Sequence, residues 1–573
     1  MFREEYPRPE LVREKWLNLN GEWEFELDKG KSGKFRNMVN KEKYDMKINV
    51  PFCPESKLSG VEHTDYINAC WYKRKVDIQK SDERILIHFE ASYYKTEVFF
   101  NGVSVGVHTG GYTPFSFDVT DVAVSGENTI VVYVEADTRD NSQPSGKQSI
   151  EFAPRSCYYT RSTGIWQTVW LEFVPKTYLK SVKLDSDVTA KTLNAQLTLV
   201  GKGEKTISLT AYYDKNVVGS KTFKTKNEIA FTQLKLSTLK LWSIENPELY
   251  DLDIIIKSDD GEDLVSTYFG MRSIEMDKFG MRINGKYVYQ RLVLDQGYYR
   301  DGVYTAPTEA DLRKDIELSQ RLGFNGARLH EKVFERRFLY YADQMGYIVW
   351  GEYPNWGFNH TAPWASDYYL QEWMESVERD YNHPCVVGWC PTNETWDGAF
   401  KAQQNDKFLA TLYYETKRYD PVRPVIDTSG SVHVKTDIYD HHDYDQNPES
   451  FATKYLEFEQ DDWGSGYKKQ KNTDKLPYFM SEYGGIGWSV DKSGWGYGKG
   501  PASVEEFEER YCGLTSILLK NPKICALCYT QLYDVEQEQN GLYTYDREPK
   551  FSEEMMDRLK KAMTAKSEME KLK

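Results

Sequence analysis

The residue pattern of this chain changes character near Lys278, and that change limits the folds open to it. Before it come short β-type runs broken by turns, such as Glu22–Leu27, Arg84–Phe89 and Thr129–Val134, with no helical stretch. Asn101-Gly102 between Val98-Phe99-Phe100 and Val103-Ser104-Val105 is a strong hairpin signal, because both turn positions favour residues that accept positive φ. Strands without helices predict a β-sandwich or jelly roll over residues 1–176. Polar and apolar residues then alternate, as in Leu197–Val200 and Ile207–Tyr213, which suits an immunoglobulin-like β-sandwich over 177–277.

From 278 to 573 strand-like and helix-like segments take turns. Strands are expected at Tyr287–Leu294, Phe324–Leu329, Tyr347–Trp350, Val386–Glu394, Val425–Asp427, Asp437–Tyr439, Leu476–Glu482 and Ile524–Thr530. Helices are expected at Thr308–Leu322, Phe334–Met345, Ser366–Tyr381 and in the tail, Glu553–Lys573. This rhythm predicts a (β/α)8 TIM barrel, whose catalytic face lies at the carboxyl ends of its strands.

Two carboxylates fall at such ends. Glu394 ends the run that begins at Val386, the fourth expected strand, and Glu482 ends the run that begins at Leu476, the seventh. Glycoside hydrolysis with retention needs a carboxylic acid and a carboxylate about 5 to 5.5 Å apart. The alternative for each glutamate is a salt-bridged or exposed residue. Composition narrows the partners: 73 Lys plus Arg against 88 Asp plus Glu gives a net charge of -15, which argues against nucleic acid and anionic membrane as partners. Residues 1–10 are charged and contain no apolar signal segment, and the eight cysteines are scattered, so a cytoplasmic location is expected. Cys525-Ala526-Leu527-Cys528 has the CxxC spacing but lies in a strand-like run without a second pair.

The motifs together resemble the family 2 glycoside hydrolases, which include β-galactosidases and β-glucuronidases. They are Leu17–Trp23, Arg161–Gln167, Asn284-Gly285-Lys286, Arg379–Pro384, Asn393-Glu394, Glu482-Tyr483-Gly484, Asp534–Tyr543 and Asp546-Arg547. The resemblance implies a sugar-binding jelly roll, Glu394 as acid/base and Glu482 as nucleophile, retention and no cofactor. It also implies that Asn393 addresses the sugar 2-hydroxyl and that Arg328 pairs with the nucleophile. Asp295, His330, Tyr444, Trp488 and Trp495 are further candidates for the sugar pocket. Some family β-galactosidases hold magnesium through a Glu and a His after the third strand; Asn355-Trp356-Gly357-Phe358 offers neither, so no metal is expected there. His441-His442-Asp443 invites a metal reading, but adjacent strand residues point to opposite faces, which favours a polar substrate-binding or structural role.

For the sugar, the resemblance implies a cation in an Asn-x-Lys pair wherever a uronide is bound. The matching residues are Glu538-Gln539-Asn540, so a neutral sugar is expected, with a β-D-galactoside first. No acid stands in Cys157–Thr160, where one family branch grips galactose, which leaves open an α-L-arabinopyranoside or a uronide read by a different cation. The reading from another class is a carbohydrate-binding protein without turnover. A carbohydrate is the expected partner, and the sequence is compatible with a homo-oligomer.

Overall fold

The structure, a computed structural model, describes residues 2–456, 464–465, 468–470, 472, 474–489 and 494–571. In the first domain a six-stranded antiparallel sheet that includes Gly21–Leu27, Ala69–Ile78 and Gly126–Glu135 faces a four-stranded one that includes Arg84–Phe89 and Val169–Val174. Trp23, Phe25, Tyr72, Ile87, Val132 and Leu171 fill the space between them. The Asn101-Gly102 turn joins Lys95–Phe100 to Val103–Thr109 with Phe100 opposite Val103, and both turn residues have positive φ, 51° and 81°.

The second domain packs a three-stranded sheet with Thr192–Val200 at its centre against a four-stranded sheet with Lys205–Tyr213 and Tyr250–Ser258 inside. Every second residue of Thr192–Val200 is buried, as a strand with one face on a core requires. A small sheet, Ile274–Asp277, Gly280–Ile283 and Lys286–Tyr287, then leads into the barrel. The expected strand at Tyr287–Leu294 therefore divides, and the first barrel strand is Gln290–Asp295.

The barrel strands run parallel in the order Gln290–Asp295, Gly326–Leu329, Ile348–Glu352 and Val386–Cys390 on one side. On the other side the first strand pairs with the eighth, Ile524–Thr530, then come Tyr478–Gly484 and Tyr439–Asp443. Val386–Cys390 and Ile524–Thr530 are buried throughout, which is why they read as unbroken apolar runs. The fifth position differs from expectation. Residues 424–429 form no regular strand but still close the barrel: Ile426 N–H donates to Trp389 O at 2.9 Å, Ser429 N–H to Thr392 O at 2.9 Å, and Asp437 N–H to Val425 O at 2.9 Å. Pro424 has no N–H to give, and the Asp427 carboxylate takes the Val434 and Lys435 N–H groups in place of a ladder. The sixth strand begins two residues later than expected and contains His441 and His442.

The helices Glu309–Arg321, Arg336–Met345 and Ala365–Asp380 lie close to their expected bounds. The tail is shorter, Glu553–Met563 and then a single turn at Met569–Lys571, with 572–573 outside the described residues. Cys525 and Cys528 are buried and free in the eighth strand. Among the described residues no helix is long and apolar enough to cross a membrane.

Candidate active site

Glu482 lies in the seventh strand and Glu394 follows the fourth, so both reach the carboxyl end of the barrel. Glu394 Oε1 and Glu482 Oε2 lie 2.8 and 3.5 Å from the same nitrogen, His442 Nδ1. The ligand atoms of these three residues all fall within 4.8 Å of one another. Glu394 adopts φ 54°, a region a non-glycine residue enters at a cost, and its N–H is held by Ser429 O at 2.8 Å. The chain reverses there instead of extending, and the carboxylate turns toward Glu482.

The surroundings of Glu482 favour its ionised form. Arg328 Nη1 donates to Glu482 Oε1 at 3.0 Å, and the Tyr444 hydroxyl donates to Oε2. Burial pushes the Glu482 carboxyl up, but His442, His330, Arg328 and the Tyr444 hydroxyl together hold it well below the usual carboxylate range. Arg328 is fully spoken for: Nε reaches Glu352, Nη1 the Ser481 carbonyl at 2.8 Å, and Nη2 Asn393 Oδ1 at 3.1 Å. His330 Nδ1 faces Glu352 Oε2 at 3.1 Å, and its Nε2 lies 4.0 Å from Glu482 Oε1. Burial, with Lys147 and Arg328 nearby, keeps this imidazole well below its usual pKa.

Asn393 is fixed through its backbone, because its N–H donates to Asn355 Oδ1 at 2.6 Å and its carbonyl accepts from Asn355 Nδ2 at 2.9 Å. With Oδ1 on Arg328, its buried Nδ2 has no partner. A free donor beside two converging carboxylates is a ready anchor for a sugar hydroxyl.

The structure brings Arg328, His330, Asn393 and Tyr444 to the two glutamates. Tyr444 is stacked on Tyr497 at 3.6 Å, and Trp495 packs 4.9 Å from Tyr497, one ring further out. Trp488 faces Phe551 at 6.4 Å at the edge of the barrel core. Asp295 turns to a neighbouring loop: its Oδ1 accepts from Gly297 N–H at 2.9 Å and from the Tyr533 hydroxyl. Its Oδ2 is buried without a partner, and burial with Asp315 nearby raises the carboxyl to about 7.

Sequence reasoning missed three members. The His-His-Asp motif reads in the sequence only as a polar substrate-binding or structural segment, without a link to the acid pair, yet His442 Nδ1 faces both glutamates, and its Nε2 lies 3.0 Å from Ser429 Oγ. Burial lowers its pKa, but Glu482 and Glu394 raise it more, and the ring sits above the usual histidine value. Glu352 anchors Arg328 and His330; it ends the third strand, and that position was the signal. Lys147 comes from the jelly roll, with its Nζ 3.7 Å over the Trp356 ring. Nothing in the local sequence marks it, because a barrel side chain completes its surroundings.

Two groups among the described residues have metal-ligand spacing, Asp343 with His383 and Cys385, and Glu394 with His442 and Glu482. In the first, His383 Nδ1 and Asp343 are bonded directly at 2.6 Å and Asp343 also takes the Cys385 N–H at 2.8 Å. The second is the acid pair itself.

Three family models descriptive of glycosyl hydrolases family 2 match the chain: the sugar binding domain over residues 11–171, the middle domain over 176–272 and the TIM barrel domain over 274–486. Among named proteins, it is 27% identical over 451 residues to a putative beta-glucuronidase of Formosa agariphila, covering 72% of this chain and 50% of that one. It is 26% identical over 442 residues to a beta-galactosidase of Thermoanaerobacterium thermosulfurigenes, covering 73% and 58%. The chain thus spans little more than half the length of these relatives. A solved beta-glucuronidase of an uncultured Clostridium sp. superposes with a TM-score of 0.79 at 21% identity, over 98% of this chain and 100% of that one. A β-glucuronidase from Ruminococcus gnavus in complex with D-glucuronic acid gives 0.78 at 17% identity, over 98% and 100%. At these identities the superpositions show the fold.

Proposed function

Because the chain belongs to glycosyl hydrolases family 2, we propose that it is a retaining exo-β-glycosidase acting by double displacement. The observation that carries this reading is the pair of carboxylates with oxygens within 4.8 Å, of which only Glu482 is ion-paired to Arg328. That separation suits direct attack by one of them, because an inverting enzyme must fit a water between acid and base. Glu482 attacks the anomeric carbon while Glu394 gives its proton to the departing glycosidic oxygen. Glu394 then takes a proton from water, which displaces the sugar from Glu482. Asn393 Nδ2 donates to the 2-hydroxyl, and Tyr444 and Arg328 hold the attacking carboxylate in place.

An exo-action is supported by the jelly-roll loop at 156–160, which closes against the loop after the eighth strand. Gln537 Nε2 donates to the Ser156 and Tyr158 carbonyls at 2.7 and 2.9 Å, and Glu536 accepts the Thr160 N–H. The eight free cysteines support a reducing, cytoplasmic setting.

For the glycone, a neutral β-D-galactoside is supported by Glu538, which stands where the uronide-reading cation is expected. Glu538 accepts from Tyr159 and, at 3.0 Å, from Asn540. A second reading, an acidic sugar, is favoured by the position of Lys147. Nitrophenyl β-D-galactoside, α-L-arabinopyranoside, β-D-glucuronide, β-D-galacturonide, β-D-glucoside, β-D-xyloside and β-D-mannoside, with Glu482→Gln as the blank, test the proposal. Release from one or two of these by the native protein alone is expected. Equal release by the blank would overturn the assignment of Glu482.

A further inference from the structure

Lys147 sits where a buried ammonium is least at home. It is 4% exposed, and among the described residues its Nζ has neither a hydrogen bond nor an ion pair, only the Trp356 ring beneath it at 3.7 Å. A cation taken out of water needs an anionic partner, and this one lacks it.

The site around it is built. Gly146 adopts φ 58°, and a Cβ there would lie 2.5 Å from the Glu331 carbonyl, so the loop must carry glycine at that point to pass so close to the barrel. Ser145 and Gly146 N–H groups both donate to the Trp356 carbonyl, at 2.9 and 3.0 Å, and Tyr159 N–H donates to the Lys147 carbonyl at 2.8 Å. Trp356 follows Asn355, the residue that clamps Asn393 beside Glu394. Tyr159 in turn holds Glu538. The lysine is thereby held between Trp356, next to the residue that clamps Asn393, and Tyr159, which holds Glu538 in the loop after the eighth strand. Burial lowers its pKa, but Cys157, Glu538, Glu482 and Glu394 outweigh that and keep it above the usual lysine value, so it is charged. Among the described residues none of these carboxylates forms an ion pair with it; they bond instead to Arg328, His442 and Asn540.

We infer that Lys147, contributed by the jelly roll, is the specificity-determining residue of an anion subsite, and that the glycone carries an anionic group, a carboxylate or a sulfate ester. The inference rests on the glycosidase reading for the identity of the cleft, takes its acidic-sugar alternative over the neutral galactoside, and replaces the expected barrel cation with one from another domain. Trp356 fits this role, since its ring holds the ammonium without neutralising it.

Calorimetric binding of galactose, D-galacturonate, D-glucuronate and galactose 6-sulfate to the native protein, Lys147→Met and Lys147→Gln tests the subsite. The native protein is expected to bind one of the anionic sugars at least tenfold more tightly than galactose, and both variants to lose that preference. A uronate preference identifies a carboxylate, and a preference for galactose 6-sulfate identifies a sulfate ester. Equal binding of neutral and anionic sugars by the native protein would overturn the inference, as would a preference that survives both substitutions. Thermal unfolding of the variants separates loss of the subsite from loss of the fold, and the native comparison is decisive even if neither variant folds. Hydrolysis of aryl glycosides is scored separately. An anion preference without turnover leaves the subsite and removes the hydrolase, whereas turnover of neutral glycosides alone does the reverse.

Discussion

At the residue scale, two glutamates of the same chemical type are given different work by their neighbours. Glu482 is ringed by donors and cations, and among the described residues the Glu394 carboxylate bonds to His442 alone. Glu482→Gln is expected to abolish turnover of every substrate, because the attacking oxygen is lost. Glu394→Gln is expected to cost most with poor leaving groups and least with activated aryl glycosides, which depart without a proton. Steady-state rates across a leaving-group series check both. Tyr444→Phe removes a hydrogen bond to a charged oxygen, worth about 1.5–3 kcal/mol, or roughly a ten- to hundredfold loss in kcat/KM. That bond lowers the Glu482 pKa, so without it the acid limb of the kcat/KM profile is expected to move to higher pH. His442→Asn removes a cation that also lowers Glu482 and is expected to move the same limb in the same direction. A pH–rate profile unchanged in both variants would refute this account of the nucleophile.

At the element scale, the fifth barrel position shows side chains doing what a ladder does elsewhere. Asp427 and Asp440 hold His433 between them, at 2.8 and 3.0 Å, and Asp440 also bonds the hydroxyls of Ser429 and Ser481. Ser481 precedes Glu482, and Ser429 O holds the Glu394 N–H. One buried ion cluster therefore registers both acid-bearing loops. Burial lowers the His433 pKa, but its bonds to the two aspartates raise it to about 10. A raised folded pKa gives stability that is complete below the unfolded histidine value near 6.5 and is lost as pH climbs through about 10. His433→Asn leaves two buried carboxylates without their cation, at a cost of about 3–5 kcal/mol, and denaturant unfolding of this variant is expected to lack the alkaline decline of the native protein.

At the scale of the whole molecule, the domains are joined by buried charge rather than by apolar contact alone. Arg13 bonds Glu172 of the jelly roll at 2.8 Å and Asp263 of the second sandwich at 2.8 Å, while Arg8 also reaches Glu172 at 2.9 Å. Trp242 Nε1–H donates to Asp343 O at 2.8 Å, and Arg272 donates to the Pro384 and Val386 carbonyls, fixing the second sandwich to the barrel. Burial raises the Glu172 pKa, but Arg8, His88 and Arg13 pull it far below the usual range. A depressed folded pKa gives stability that is present above the unfolded value near 4.5 and is lost as pH falls. Glu172→Gln is expected to destabilise the protein by about 3–5 kcal/mol at neutral pH, and to do so less at pH 3, where the native carboxylate has begun to lose its own advantage. Denaturant titrations at the two pH values measure the difference.

The sequence by itself determined the order of architectures and the place of both glutamates, because burial on two faces of a parallel strand writes an apolar run and a strand end writes a motif. It also marked Arg328, His330, Asn393 and Tyr444, each at or just beyond a strand terminus. It could not supply the fifth barrel segment, where Pro424 has no N–H to give and Asp427 substitutes side-chain bonds for a ladder. It assigned Asp295 to the sugar pocket, whereas its Oδ1 serves Gly297 and Tyr533. Only the tertiary structure decided that His442 spans the acid pair and that a jelly-roll lysine stands over a barrel tryptophan. Charge depends on distance in space, and Lys147 and Trp356 become neighbours only when two domains, each legible alone, close on one another.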